Sequence, residues 1–120
     1  MTPRPSNTEK GRNAERLAAS HLESLGYTIL HRNWRCPFGE IDIVASRDAH
    51  LVFFEVKYRS SGTYGSGEEA LTTGKMRRLR RLVQAYLQDN PSLRYRSCGV
   101  EVVAVIPAGS SLEFRITSAI

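Results

Sequence analysis

The chain has 120 residues, 41% of them hydrophobic, which suits one compact domain with a single core and argues against a second. Against 12 Asp and Glu stand 17 Lys and Arg, and the net charge of +5 favours polyanionic partners through long-range attraction and counterion release. No stretch approaches a membrane span in length, no apolar run of the signal-peptide kind occurs near the start, and Cys36 and Cys98 lack zinc-site spacing, so a cytoplasmic protein with two reduced thiols is expected.

In chain order, residues 1–10 are polar with Pro3 and Pro5 and read as a flexible N-terminal segment, and residues 11–120 as one domain. From about residue 9 to 25, Ala14, Leu17, Ala18, Leu22 and Leu25 recur at helical spacing, and Gly26 supplies the stop. On a helical wheel Arg12, Arg16 and Glu23 point outward, but Glu15 falls beside Leu22 at the edge of the buried stripe. The helix alone suggests that Glu15 pairs with a nearby Arg or escapes to solvent. Residues 27–34, 40–46 and 51–58 are rich in β-branched and aromatic side chains and read as three consecutive strands. Residues 59–67, with Gly62, Gly65 and Gly67 among serines, read as a loop. A second helix is expected from residue 72 or 73 to about 88, with Met76, Leu79, Leu82, Val83 and Tyr86 inward and Asn90-Pro91 at its end. Residues 100–106, nearly all apolar as in a central strand, and 112–117 complete the pattern. His21, His31 and His50 are dispersed and read as structural.

The chemistry concentrates in Gly39-Glu40-Ile41-Asp42-Ile43-Val44-Ala45 and, after a turn, Leu51-Val52-Phe53-Phe54-Glu55-Val56-Lys57. If Asp48 and Ala49 form a two-residue hairpin loop, Arg47 faces His50, and the register places Asp42 opposite Glu55 and Glu40 opposite Lys57. These four side chains then share one face, while Ile41, Ile43, Phe54 and Val56 share the buried one. Two like charges directly opposed are destabilising unless a cation lies between them. A hard divalent ion held by carboxylates can activate water against a phosphodiester, and Lys57 on the same face can stabilise the charge that develops. The competing reading is an ordinary solvated hairpin face, whose cross-strand pairs contribute at most about 1 kcal/mol each.

Asp42, 12 intervening residues and then Glu55-Val56-Lys57 resemble the Asp…(Asp/Glu)-x-Lys signature of restriction-endonuclease-like nucleases. Together with Gly11-x-x-x-Glu15, Gly26-Tyr27-x-Ile29-Leu30-x-Arg32-Asn33 and Gly39-Glu40-Ile41-Asp42-Ile43-Val44-Ala45, the pattern resembles the YraN family of small bacterial proteins over roughly residues 11–105. Ile41 stands where the restriction enzymes carry proline, and Gly99-Val100-Glu101 replaces an expected Phe-Asp. The resemblance implies an α/β fold: a restriction-endonuclease-like αβββαβ core, with a mixed central sheet flanked by helices and an additional C-terminal strand. It also implies a site in which Asp42, Glu55 and Glu15 hold Mg²⁺ or Mn²⁺ and Lys57 assists the attack, which would explain the placement of Glu15. The activity implied is a metal-dependent DNA endonuclease related to Holliday-junction resolvases, acting on junctions or other branched DNA, with a homodimer by analogy. Lys75 resembles a further recurrent position that could contact phosphate.

The second helix carries Arg77, Arg78, Arg80 and Arg81, with Arg77 and Arg81 opposite the apolar stripe. Arg59, Lys75, Arg77, Arg78 and Arg81 are the candidate nucleic-acid contacts. A non-catalytic nucleic-acid-binding module on the same fold and a small interaction protein remain as alternatives.

Overall fold

The structure, a computed structural model, describes residues 9–59 and 73–119. The elements run α1 (Glu9–Ser24), β1 (Thr28–Cys36), β2 (Gly39–Arg47), β3 (His50–Tyr58), α2 (Thr73–Asp89), β4 (Ser97–Ala108) and β5 (Ser111–Ser118). These are the two helices and five strands that the hydrophobic pattern predicts, in the same order. Residues 9 and 10 of the segment expected to be flexible form the start of α1, and residues 1–8 lie outside the described residues. So does the predicted loop, apart from Arg59.

The first helix stops as its sequence requires. Gly26 adopts φ +97, a conformation that favours glycine. Its amide donates to Glu23 O and that of Tyr27 to Leu22 O, the paired bonds that close a helix on a left-handed residue.

The sheet order is β1-β2-β3-β4-β5. Only β3 and β4, linked through α2, are parallel, and the other neighbours are antiparallel, so the sheet is mixed. Each helix covers one face. Ala14, Ala18, Ala19 and Leu22 of α1 pack with Ile43, Ala45, Val52, Phe54, Val103 and Val105. Leu82 and Tyr86 of α2 pack on the other face with Ile41, Val44, Leu51, Phe53 and Val100. Strand β4 needs apolar residues along most of its length because both its faces are covered.

Tyr86 anchors the second layer. It is 1% exposed, meets the rings of His31, Trp34 and Phe53 edge-on, and its hydroxyl lies 2.6 Å from His31 Nδ1. His50 similarly reaches Ser97 Oγ at 2.7 Å, and His21 stacks on Phe114. Both cysteines are free. No helix among the described residues is long and apolar enough to cross a membrane.

One expectation about facing is corrected. Ile41 does not share a face with Ile43, Phe54 and Val56: Ile43 and Phe54 lie in the α1 layer with Val56 against them, and Ile41 lies in the α2 layer. Residues two apart in a regular strand face the same way. The reversal therefore sits at Asp42, bracketed in the ladder by Arg32↔Ile43 and Trp34↔Ile41. Between the bracketing residues of β1 stands Asn33, at φ +56, so both strands turn over at one level.

Candidate functional site

The predicted hairpin register holds for five pairs, from Arg47↔His50 to Ile43↔Phe54. Asp48 and Ala49 form the turn with φ of 53 and 65, as a tight two-residue hairpin loop requires. The next predicted pairs, Asp42 with Glu55 and Glu40 with Lys57, are absent from the ladder. Beyond Ile43, β2 stays paired with β1 as far as Cys36↔Gly39, and β3 stays paired with β4 as far as Tyr58↔Val105. The sheet forks there, and the Asp42 side chain enters the fork, where Oδ2 accepts the Val56 amide at 2.8 Å.

A cleft of about 540 Å³ opens at this fork. Glu15, Asp42, Glu55 and Lys57, the four residues singled out from sequence, all line it. Their grouping differs from the expected one. The carboxylates whose oxygens gather within 4.8 Å of one another are Glu15, Glu40 and Asp42, each half-buried. Glu55 instead pairs with Lys57, whose Nζ is 3.1 Å from Glu55 Oε2. Glu40 joins Glu15 because the reversal at Asp42 swings the start of β2 around. Its carboxylate also lies 3.6 Å from Arg35 Nε.

Asn33 joins two of the three acids. With its amide oriented to donate, its nitrogen gives hydrogen bonds to Glu15 Oε1 at 2.7 Å and Glu40 Oε2 at 3.0 Å. The electrostatics follow from this crowding. Burial is the main cause that raises Asp42 from its ordinary 3.8 to about 7; the Val56 bond opposes the rise, and the charges of Glu15, Glu40 and Glu55 add to it. Three carboxylates from α1 and β2 make an all-oxygen donor set, the kind that Mg²⁺ and Mn²⁺ prefer, and a divalent cation would offset both the burial and the mutual repulsion that disfavour the charged form of Asp42. The residues present therefore fit such an ion.

The predicted nucleic-acid contacts are spread apart. Arg78 lines the cleft. Arg81 lies over the exposed ring of Phe38, with its Cζ 5.0 Å from the ring centroid. Arg77 is exposed on α2, and Lys75 is half-buried and outside the cleft lining. Arg59 follows β3, its amide bonded to Val105 O at 3.0 Å. Sequence reasoning left Glu40 out of the acid cluster, and it quoted Asn33 within the family pattern without giving it a role. Regular alternation placed Glu40 on the face of Asp42 and opposite Lys57, and only the reversal at Asp42 brings it to Glu15.

Comparison with known proteins agrees with this architecture. A model of the "Uncharacterised protein family UPF0102" matches residues 14–105. A UPF0102 protein of Moorella thermoacetica is 49% identical over 80% of this chain and 79% of its own length. One from an Arthrobacter species is 49% identical over 83% and 84%. Among solved structures, Archaeoglobus fulgidus Hjc, described as a Holliday junction resolvase from an archaeal hyperthermophile, superposes with a TM-score of 0.57 at 19% identity, covering 87% of this chain and 72% of that one. That likeness is one of fold.

Proposed function

The chain belongs to the uncharacterised protein family UPF0102, the YraN family of the motif resemblance, and from that membership together with the chemistry of its cleft we propose that it is a metal-dependent DNA endonuclease. The observation that carries this reading is the convergence of Glu15, Glu40 and Asp42 at the sheet fork, in one cleft with Lys57. A fold alone would not suffice, since one fold hosts many functions. The site supplies the argument.

Glu15, Glu40 and Asp42 would hold Mg²⁺ or Mn²⁺, with Glu55 close enough for its charge to act on Asp42. The ion would lower the pKa of a bound water and offset charge building on the phosphoryl oxygens. Asn33 holds Glu15 and Glu40 together, which fixes two of the donors before any ion arrives. Lys57, steadied by Glu55, presents a cation to the oxygen that gains charge as the P–O bond breaks. Arg78, on the α2 side of the cleft, would bind a neighbouring phosphate and fix the strand's register. Arg59, Lys75, Arg77 and Arg81, spread outside the cleft lining, would contact more distant phosphates. The Holliday junction resolvase of similar fold supports branched DNA as the substrate class, and a homodimer would present two such clefts to two strands.

The test is cleavage of labelled duplex, flapped, single-stranded and four-way-junction DNA with Mg²⁺ or Mn²⁺, comparing wild type with Asp42→Ala and Lys57→Ala. Cleavage lost in both variants, with the fold retained, supports the nuclease. No cleavage of any substrate, with DNA binding unchanged in Asp42→Ala, would replace it with a non-catalytic binding module.

A further inference from the structure

Phe38 is exposed where a hydrophobic residue has no packing reason to be. It stands in the two-residue turn Pro37-Phe38 that joins β1 to β2, is 48% exposed, and belongs to neither core cluster. A single exposed aromatic is ordinary by itself; what sets Phe38 apart is the set of arginines around it beside the cleft. Arg81 of α2 lies over the ring, a contact that orders both side chains and leaves the ring partly open.

The turn is tied to the cleft. Gly39, the next residue, lines it, as do Glu40, Asp42 and Arg78. Gly39 has φ +145, a conformation that favours glycine, and a Cβ there would make only ordinary contact with Arg78 Nη1 at 3.5 Å and a Leu82 methyl at 3.7 Å, so α2 brings Arg78 close beside the hairpin tip. Arg35, exposed on β1 and 3.6 Å from Glu40, adds a third cation near the turn. Phe38 precedes Gly39, the first residue of β2, so the ring stands at the hairpin tip next to the cleft lining.

We propose that Phe38 and Arg81 form a stacking platform for an unpaired base, so that the cleft selects DNA in which a nucleotide is extruded beside the strand that enters it. This rests on the nuclease reading of the cleft and adds its substrate feature. An aromatic face with adjacent arginines is the surface that splayed bases occupy, and it accepts any base, because every base has a π-face. A continuous duplex keeps its bases stacked inside and offers Phe38 only backbone. The acid cluster would repel phosphate, whereas the arginine-flanked turn attracts it, so the platform draws a strand to the mouth of the cleft.

The experiment is fluorescence-anisotropy binding of the full chain in Ca²⁺ to two probes, a short continuous duplex and the same duplex with one extra unpaired adenine. Wild type is expected to prefer the second by about tenfold, in line with the stacking of one base. Phe38→Ala and Phe38→Leu should bring the two affinities together, Phe38→Trp should keep them apart, and Arg81→Ala should reduce the preference. Thermal melts and Mn²⁺ titration of Phe38→Ala, unchanged from wild type, would confirm that fold and acid cluster are intact. Equal affinities in wild type, or a preference that survives Phe38→Ala, would overturn the platform alone. Binding of neither probe would overturn the nuclease reading and the platform with it.

Discussion

The Asp42 carboxylate accepts the backbone amide of Val56 at 2.8 Å, in the gap where β2 and β3 cease to pair. An asparagine at the same place keeps an acceptor oxygen for that amide, so Asp42→Asn should fold. Its stability should also respond differently to pH. Burial, with smaller contributions from Glu15, Glu40 and Glu55, raises Asp42 to about 7, so the folded protein holds that proton more tightly than the unfolded chain does. The resulting stabilisation is complete below about pH 4 and is lost as pH rises through about 7. In EDTA, Asp42→Asn is therefore expected to exceed wild type at pH 8 by on the order of a few kcal/mol, with the gap closing toward pH 5. Melts at both pH values decide; a gap independent of pH would show that Asp42 is not the group responsible.

A divalent ion and a proton compete for the same oxygens. Mn²⁺ binding at pH 6 is expected to release close to one proton per ion, and the affinity should fall about tenfold per pH unit below about 7. Calorimetry in two buffers of different ionisation enthalpy measures the proton directly. Glu40→Gln should weaken Mn²⁺ by about tenfold or more, because one of three gathered carboxylates is lost. An unchanged affinity would mean that Glu55 rather than Glu40 completes the site.

Asn33 combines a left-handed backbone with two charged acceptors. Removing its amide leaves Glu15 and Glu40 facing each other without their shared donor. Asn33→Ala should cost about 2–4 kcal/mol, since hydrogen bonds to charged groups contribute more than neutral ones and alanine tolerates φ +56 poorly. Asn33→Gly relieves the backbone and should recover part of that loss. Both should weaken Mn²⁺ alike, and urea melts beside Mn²⁺ titrations separate the two effects. A full recovery of metal affinity in the glycine variant would show that backbone strain, not the amide, organises the acids.

In the α2 layer, Tyr86→Phe should cost about 1 kcal/mol through the lost bond to His31. Tyr86→Ala should cost about 3–5 kcal/mol, because the cavity would lie among Trp34, Phe53 and Leu82. Equal losses in the two variants, measured by denaturant titration, would assign the anchor's value to the hydroxyl rather than the ring.

The elements were legible because their causes are local. Ala14, Ala18 and Leu22 repeat at helical spacing, Gly26 marks the stop, and the short Asp48-Ala49 turn sets the register of five residue pairs. The helix wheel also placed Glu15 correctly at the edge of the buried stripe, and the cleft supplies the reason. What escaped is not periodic. The parting of β2 and β3 depends on a side chain substituting for a backbone acceptor, and the turnover of β1 and β2 depends on one positive φ at Asn33. Neither leaves a trace in hydrophobic pattern, so a regular extrapolation carried Ile41 to the wrong layer and paired Glu40 with Lys57 instead of bringing it to Glu15.

The forked sheet is also a mechanical object. At its closed end β2 and β3 are stitched together, but past Ile43 and Phe54 each tine is sewn only to its outer neighbour, β1 or β4. Bending at that junction changes the gap without unzipping either outer seam, and the Val56 amide on Asp42 acts as the clasp across it. An ion that drew the Asp42 carboxylate away from that amide would loosen the clasp and alter the spacing of the tines, so the jaw width would belong to its contents as much as to the scaffold.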